Sequence, residues 1–118
     1  MPKTLSVLLF TTPYVFGNTG TVLKLAEAAL EKGYAVNVSA YGDGVHNFTV
    51  GQRAKGVPHA EEGFKRLLEK GLNVELCGTC LAFRGIGKEI IMEGARPSSM
   101  RGLCEMIKGS DVFVSFAF

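Results

Sequence analysis

The sequence predicts one α/β domain, residues 1–118, built as a three-layer α/β/α sandwich around a mostly parallel sheet of about five strands. Strand-like and helix-like segments alternate along the whole chain. The first strand-like run is nearly continuous apolar sequence, and the main helical patterns stop at glycines. Unbroken apolarity marks a strand covered on both faces, as parallel sheets require, and glycine supplies the left-handed residue that closes a helix. With 118 residues, 47% of them hydrophobic, the chain can bury a core of its own and needs no disulfide staple.

Leu5-Ser6-Val7-Leu8-Leu9-Phe10 is the first strand. A loop from Thr11 to Asn18 leads into a helix from about Thr19 to Lys32, with Val22, Leu25, Ala26, Ala29 and Leu30 at helical spacing. Asn18 or Thr19 can supply its N-cap oxygen and Gly33 its stop. Tyr34 to Tyr41 alternates small or β-branched with polar residues and reads as the second strand, ending in Gly42-Asp43-Gly44. Phe48 to Val57 has no clean period and reads as an irregular excursion, either a functional or interface loop or a poorly ordered one.

Pro58 suits a first helical position, Glu61 and Glu62 suit the opening turn, and Phe64, Leu67 and Leu68 form the core stripe before Gly71. Asn73 to Leu76 is the third strand. It runs into Cys77 and a short helical segment carrying Cys80 and Arg84. Lys88 to Glu93 fits a short strand or a helical turn. Arg96-Pro97-Ser98-Ser99 signals a helix start, and Ser99 to Lys108 places Met100, Leu103, Met106 and Ile107 on one side. Val112 to Phe118 is the last, strongly apolar strand.

The net charge of +2 is made of interspersed signs, so no basic face for direct nucleic-acid binding is expected. The apolar run from Val7 to Phe10 is broken by Thr11-Thr12-Pro13, too short for a signal-peptide core or a membrane span. A cytoplasmic protein away from membranes is the expectation. Three cysteines, an odd number with two close together, suit a reducing compartment.

Chemistry is sought at Cys77. A cysteine ending a strand of an open α/β sheet lies where such sheets bind ligands, and a following helix start favours the thiolate, the nucleophilic form. Two residues separate Cys77 from Cys80, so a helix would place both sulfurs on one face, with Arg84 one turn further on the same side. A guanidinium there would further favour a thiolate or hold a charged sulfur species. The plainer reading makes both cysteines small apolar fillers. Cys104, between Leu103 and Met106, is read as core.

Structural zinc needs four ligands. No second close cysteine pair exists and His46 and His59 stand apart, so no metal is expected. A thioredoxin-like reductase would carry its cysteine pair after an early strand and commonly a tryptophan before it; this chain has no tryptophan and the pair lies past the midpoint. Thiol–disulfide exchange remains a secondary possibility. Phe16-Gly17-Asn18-Thr19-Gly20-Thr21 could present backbone N–H groups to a phosphate. It lacks nucleotide-loop and dinucleotide signatures, and a helix cap accounts for Asn18 and Thr19, so no cofactor is expected. A flavin- or nucleotide-binding, flavodoxin-like module is the alternative this loop keeps open. Asp43 ends the second strand and could reach the same crevice as Cys77, or serve only as a turn residue between glycines.

The whole pattern resembles the DsrE-like sulfur-relay family, including its Tus-type sulfur-carrier subunits. The likeness rests on the first strand–loop–helix unit, Asp43-Gly44-Val45 after the second strand, Cys77 ending the third strand with Arg84-Gly85-Ile86 following, and Ser110-Asp111-Val112-Phe113-Val114. The resemblance implies a DsrE-like or flavodoxin-like sheet and intracellular sulfur transfer. In that role Cys77 accepts sulfane sulfur as a persulfide and passes it to a partner thiol, with Arg84 assisting the anion and Gly78 beside the sulfur. It also implies donor and acceptor proteins with reactive cysteines, and a homo-oligomer, trimer or hexamer. Cys80 is not carried over from the family pattern; it raises the alternative that it attacks a persulfide on Cys77, releasing sulfide and leaving an intramolecular disulfide. A further alternative is a non-catalytic subunit of such an oligomer.

Overall fold

In the computed structural model, which describes residues 3–117, five strands form one sheet: β1 (Thr4–Leu9), β2 (Ala35–Ala40), β3 (Asn73–Cys77), β4 (Ala95–Ser98) and β5 (Val112–Phe116). Their spatial order is β4-β3-β2-β1-β5, and every neighbouring pair is parallel. The chain steps outward from β1 to β4, then crosses back to lay β5 on the far side of β1. Open parallel sheets form their ligand crevices beyond the carboxyl ends of strands, where the strand order reverses. Here that reversal lies between β1 and β5.

Register decides which side chains meet. Leu5, Val7 and Leu9 stand level with Val36, Val38 and Ala40, and Val38 and Ala40 with Val74 and Leu76. This face packs on α1 (Asn18–Glu31) and α2 (Ala60–Glu69) through Val22, Ala26, Phe64 and Leu67, all buried. Burying Val22, Phe64 or Leu67 contributes about 1.5–3 kcal/mol each relative to exposure. Phe48 adds a tilted ring contact to Phe64, centroids 4.5 Å apart.

The opposite face is polar near its middle. Asn73 Nδ2 donates to Asn37 Oδ1 at 3.0 Å, Asn37 Nδ2 donates to Ser6 Oγ at 3.2 Å, and the Ser110 hydroxyl bonds to Ser6. α4 (Met100–Lys108) covers part of this face with Leu103 and Met106. The three predicted layers are therefore present, with an all-parallel sheet.

Several local readings need correction. Arg96-Pro97-Ser98 belongs to an unanticipated strand, β4, on the outer edge of the sheet beside β3. An edge strand tolerates the missing N–H of Pro97. The helix signal begins only at Ser99, whose Oγ accepts the Gly102 N–H at 3.3 Å. Lys88–Ile90 is a 3-10 turn, and Ile91 makes one antiparallel bridge to Thr49. Helix α1 has Gly17 as N-cap without a side-chain bond. Helix α2 opens at Ala60, capped by His59 Nδ1, which accepts the Glu62 N–H at 3.2 Å. β5 is an edge strand with Val112 and Phe113 exposed, and the predicted strand end at Phe118 lies outside the described residues. Cys104 is exposed, because Leu103 and Met106 form the buried stripe of α4 and leave it on the outer side.

The excursion after β2 begins with a 3-10 helix, Gly42–Phe48. Its Asn47 is fully buried: Nδ2 donates to the carbonyls of Thr11 (3.0 Å) and Gly44 (2.8 Å), while Oδ1 accepts the Thr19 hydroxyl at 2.6 Å. Gln52 gathers the rest, its Nε2 within 3.2 Å of the carbonyls of His46, Asn47 and Thr49. Its Oε1 accepts the Tyr14 hydroxyl, which in turn accepts the Ala60 N–H at 3.1 Å. The segment is thus tied to the β1–α1 loop and to the start of α2, and it sets one wall of the site.

Candidate functional site

Cys77 is the last residue of β3 and the N-cap of α3 (Gly78–Phe83). Its extended backbone, φ −64° and ψ 115°, turns the side chain back over the first turn, where Sγ accepts the Cys80 N–H at 3.2 Å. One turn along, Cys80 Sγ accepts the N–H of Gly42, the residue that leaves the β2 end at φ 56°. Cys77 and Cys80 share a small cluster with Tyr41, Leu103 and Leu8.

Arg84 follows α3 and all three of its guanidinium nitrogens are engaged. Nε and Nη2 each lie 2.9 Å from Asp43 Oδ1, and Nη1 donates to the Cys80 carbonyl at 3.1 Å. Asp43 therefore faces Arg84 across the site. A crevice of about 350 Å³ opens at the carboxyl ends of β1, β2 and β5, lined by Phe10, Gly42, Asp43, Arg84 and Ala117.

The expectation of an easily ionised Cys77 requires correction. Only 9% of the residue is exposed, and that burial pushes the thiol above its ordinary pKa. The Cys80 side chain adds to the rise, while N–H bonds from Cys80 and Thr79 pull the other way without outweighing it. Burial, then the negative charge that Cys77 would carry, likewise raises Tyr41. A raised acid keeps its proton in the folded state after the unfolded chain has lost it. Stability must then fall as pH rises, beginning near the ordinary thiol value of about 8.5 and continuing through the folded pKa. Urea unfolding at pH 7.5 and pH 10 should show a larger loss for the parent than for Cys77→Ala; equal losses would contradict this account.

Of the predicted site residues, the structure brings Cys77, Gly78, Cys80, Arg84 and Asp43 together. Asn18 lies at the neighbouring β1–β5 end, its Nδ2 within 3.1 Å of Thr11 Oγ1 and 3.4 Å of the Ala117 carbonyl. Thr19 is turned inward to Asn47. Sequence reasoning missed Phe10, Tyr41 and Gly42. Phe10 and Tyr41 directly follow strands and Gly42 comes next after Tyr41, so the strand-end rule that singled out Cys77, applied to every strand, would have found them. Among the described residues no three histidine, cysteine or acidic side chains form a metal-holding group, and no helix is long and apolar enough to cross a membrane.

An all-parallel five-stranded sheet with helices on both faces and a cysteine pair at the carboxyl end of β3 defines a small α/β protein. The chain belongs to the DsrE/DsrF-like family, which it matches over residues 4–116. It is 32% identical over 111 residues to the uncharacterized protein MJ0989 of Methanocaldococcus jannaschii, covering 94% of this chain and 97% of that one. The uncharacterized protein MK0008 of Methanopyrus kandleri is 31% identical over 112 residues, with 95% and 93% covered. In fold the chain resembles the crystal structure of the ychN protein from E. coli, TM-score 0.91 at 22% identity, covering 98% of this chain and all of that one. It also resembles MTH1491 from Methanobacterium thermoautotrophicum, TM-score 0.71 at 15% identity, covering 97% and 99%.

Proposed function

We propose that the protein is a cytoplasmic sulfur carrier that takes sulfane sulfur as a persulfide on Cys77 and hands it to a partner thiol. The observation that carries this reading is the placement of the Cys77 sulfur: at the carboxyl end of β3, under a direct backbone N–H bond, with a second thiol beside it. Membership of a family associated with sulfur relay supports it. In the loading step Cys77 Sγ attacks the outer sulfur of a donor persulfide. The donor S–S bond breaks and its electron pair leaves with the donor thiolate, which takes up the proton. Unloading repeats the exchange in the other direction on an acceptor thiol, so no net oxidation occurs.

Burial of Cys77 suits storage. A resting thiol is shielded from oxidants, and the N–H groups of Thr79 and Cys80 stabilise the anion once a donor draws the proton away. Arg84 is a positioning residue here, bonding the Cys80 carbonyl and Asp43. Partners would be donor and acceptor proteins with reactive cysteines. A homo-oligomer, trimer or hexamer, accords with the exposed Val112 and Phe113 on edge strand β5 and with Phe83.

Incubation with glutathione persulfide, alkylation and peptide mass spectrometry test the reading. The Cys77 peptide should gain one sulfur atom that a dithiol reductant removes. Exposed Cys104 is the internal control: sulfur found on Cys104 but not on Cys77 would overturn the proposal.

A further inference from the structure

Cys80 is half-buried where Cys77 is buried, so it is the more accessible sulfur of the pair. Cys77 caps α3 and Cys80 is its third residue, so both sulfurs stand on the same opening turn. The Cys80 amide already bonds the Cys77 sulfur at 3.2 Å, and both side chains pack against Tyr41 and Leu103. Both are free thiols. Cys80 Sγ also receives the Gly42 N–H at 3.2 Å, a bond that is stronger to a thiolate than to a thiol. Arg84 holds the Cys80 carbonyl and Asp43 together, which keeps Cys80 against the Gly42 end of β2.

We propose that Cys80 is a resolving thiol: its thiolate attacks the inner sulfur of a persulfide on Cys77, closing a Cys77–Cys80 disulfide and expelling hydrosulfide. The inference rests on the sulfur-carrier reading above. In this step the persulfide S–S bond breaks and its electron pair leaves with the terminal sulfur, which already carries the proton. A new bond joins the two Sγ atoms. The sulfane sulfur is reduced to sulfide as the two cysteines are oxidised to the disulfide, so no outside oxidant enters. Returning the pair to thiols takes an external dithiol reductant. Sulfur on Cys77 then has two exits: transfer to a docked acceptor, or release as sulfide when no acceptor arrives.

The test loads the parent and Cys80→Ser with glutathione persulfide, removes the donor, and follows trapped sulfide and peptide masses with time under anaerobic conditions. The parent should release sulfide in proportion to the sulfur loaded and gain a Cys77–Cys80 peptide two hydrogens lighter than the dithiol. Cys80→Ser should hold its persulfide roughly tenfold longer or more, because the intramolecular attack benefits from a high effective concentration. Cys80→Ala should match it, which guards against an effect of the new hydroxyl. Equal retention in parent and variants, or sulfur found on Cys80 without a disulfide, overturns the resolving role while leaving Cys77 loading intact. Failure of Cys77 to load in any of the three removes the carrier reading and this inference with it.

Discussion

Gly44→Ala is expected to destabilise the protein by more than about 3 kcal/mol, read as a large drop in the urea midpoint at unchanged slope. A Cβ at this position would sit 2.1 Å from the Leu9 carbonyl oxygen and 2.8 Å from its carbon. Both are backbone atoms of β1, and that oxygen already accepts the Tyr41 N–H at 3.0 Å. Neither side can yield without parting the end of β1 from the 3-10 helix. Such a shift would also disturb Asn47, which donates to the Gly44 carbonyl, and Gly42, which donates to Cys80 Sγ. The Cys80 thiol should therefore alkylate faster in the variant. Gly17→Ala is the matched control: it has φ −75° and no atom within 4 Å of the added methyl, so it should be neutral or stabilise by up to about 1 kcal/mol. An alanine at 44 as stable as the parent would show that this approach of the two segments is wrongly described.

Cys77→Ser is expected to abolish sulfur transfer from a persulfide donor to an acceptor thiol while leaving stability within about 1 kcal/mol of the parent. Serine is a preferred N-cap residue, and its oxygen can accept the Cys80 N–H that Cys77 Sγ accepts now. The helix start survives, and only the sulfur is lost. This separates the chemistry from the fold more cleanly than alanine, which removes the cap as well. Undiminished transfer by Cys77→Ser in a reconstituted relay would instead favour a non-catalytic subunit.

Elements buried on a clear period were legible in the sequence. β1 carries the apolar run that a covered sheet needs, β2 and β3 alternate apolar with polar residues, and α1 and α2 carry stripes bounded by Gly33 and Gly71, both left-handed. β4 was not legible because a four-residue edge strand with Pro97 and three other residues at least partly exposed has no pattern to show. The 3-10 helix at Gly42–Phe48 was hidden by its Gly-Asp-Gly opening, which locally reads as a turn, although the tertiary contacts of Asn47 and Phe48 decide its shape. The site was half legible. Strand-end placement found Cys77, and spacing found Cys80 and Arg84. Spacing could not reveal that Arg84 turns to Asp43 and the Cys80 carbonyl, or that burial outweighs the N–H bonds in setting the Cys77 proton affinity.

The chain of amides and hydroxyls linking Asn73, Asn37, Ser6 and Ser110 has a bearing on how the sheet assembles. Sliding β2 by one residue would turn Asn37 into the hydrocarbon beneath α1 and α2 and lift Val36 and Val38 onto the polar side. An amide stranded there without partners loses several kcal/mol. A one-residue slip of β2 is thereby penalised twice, once in each layer.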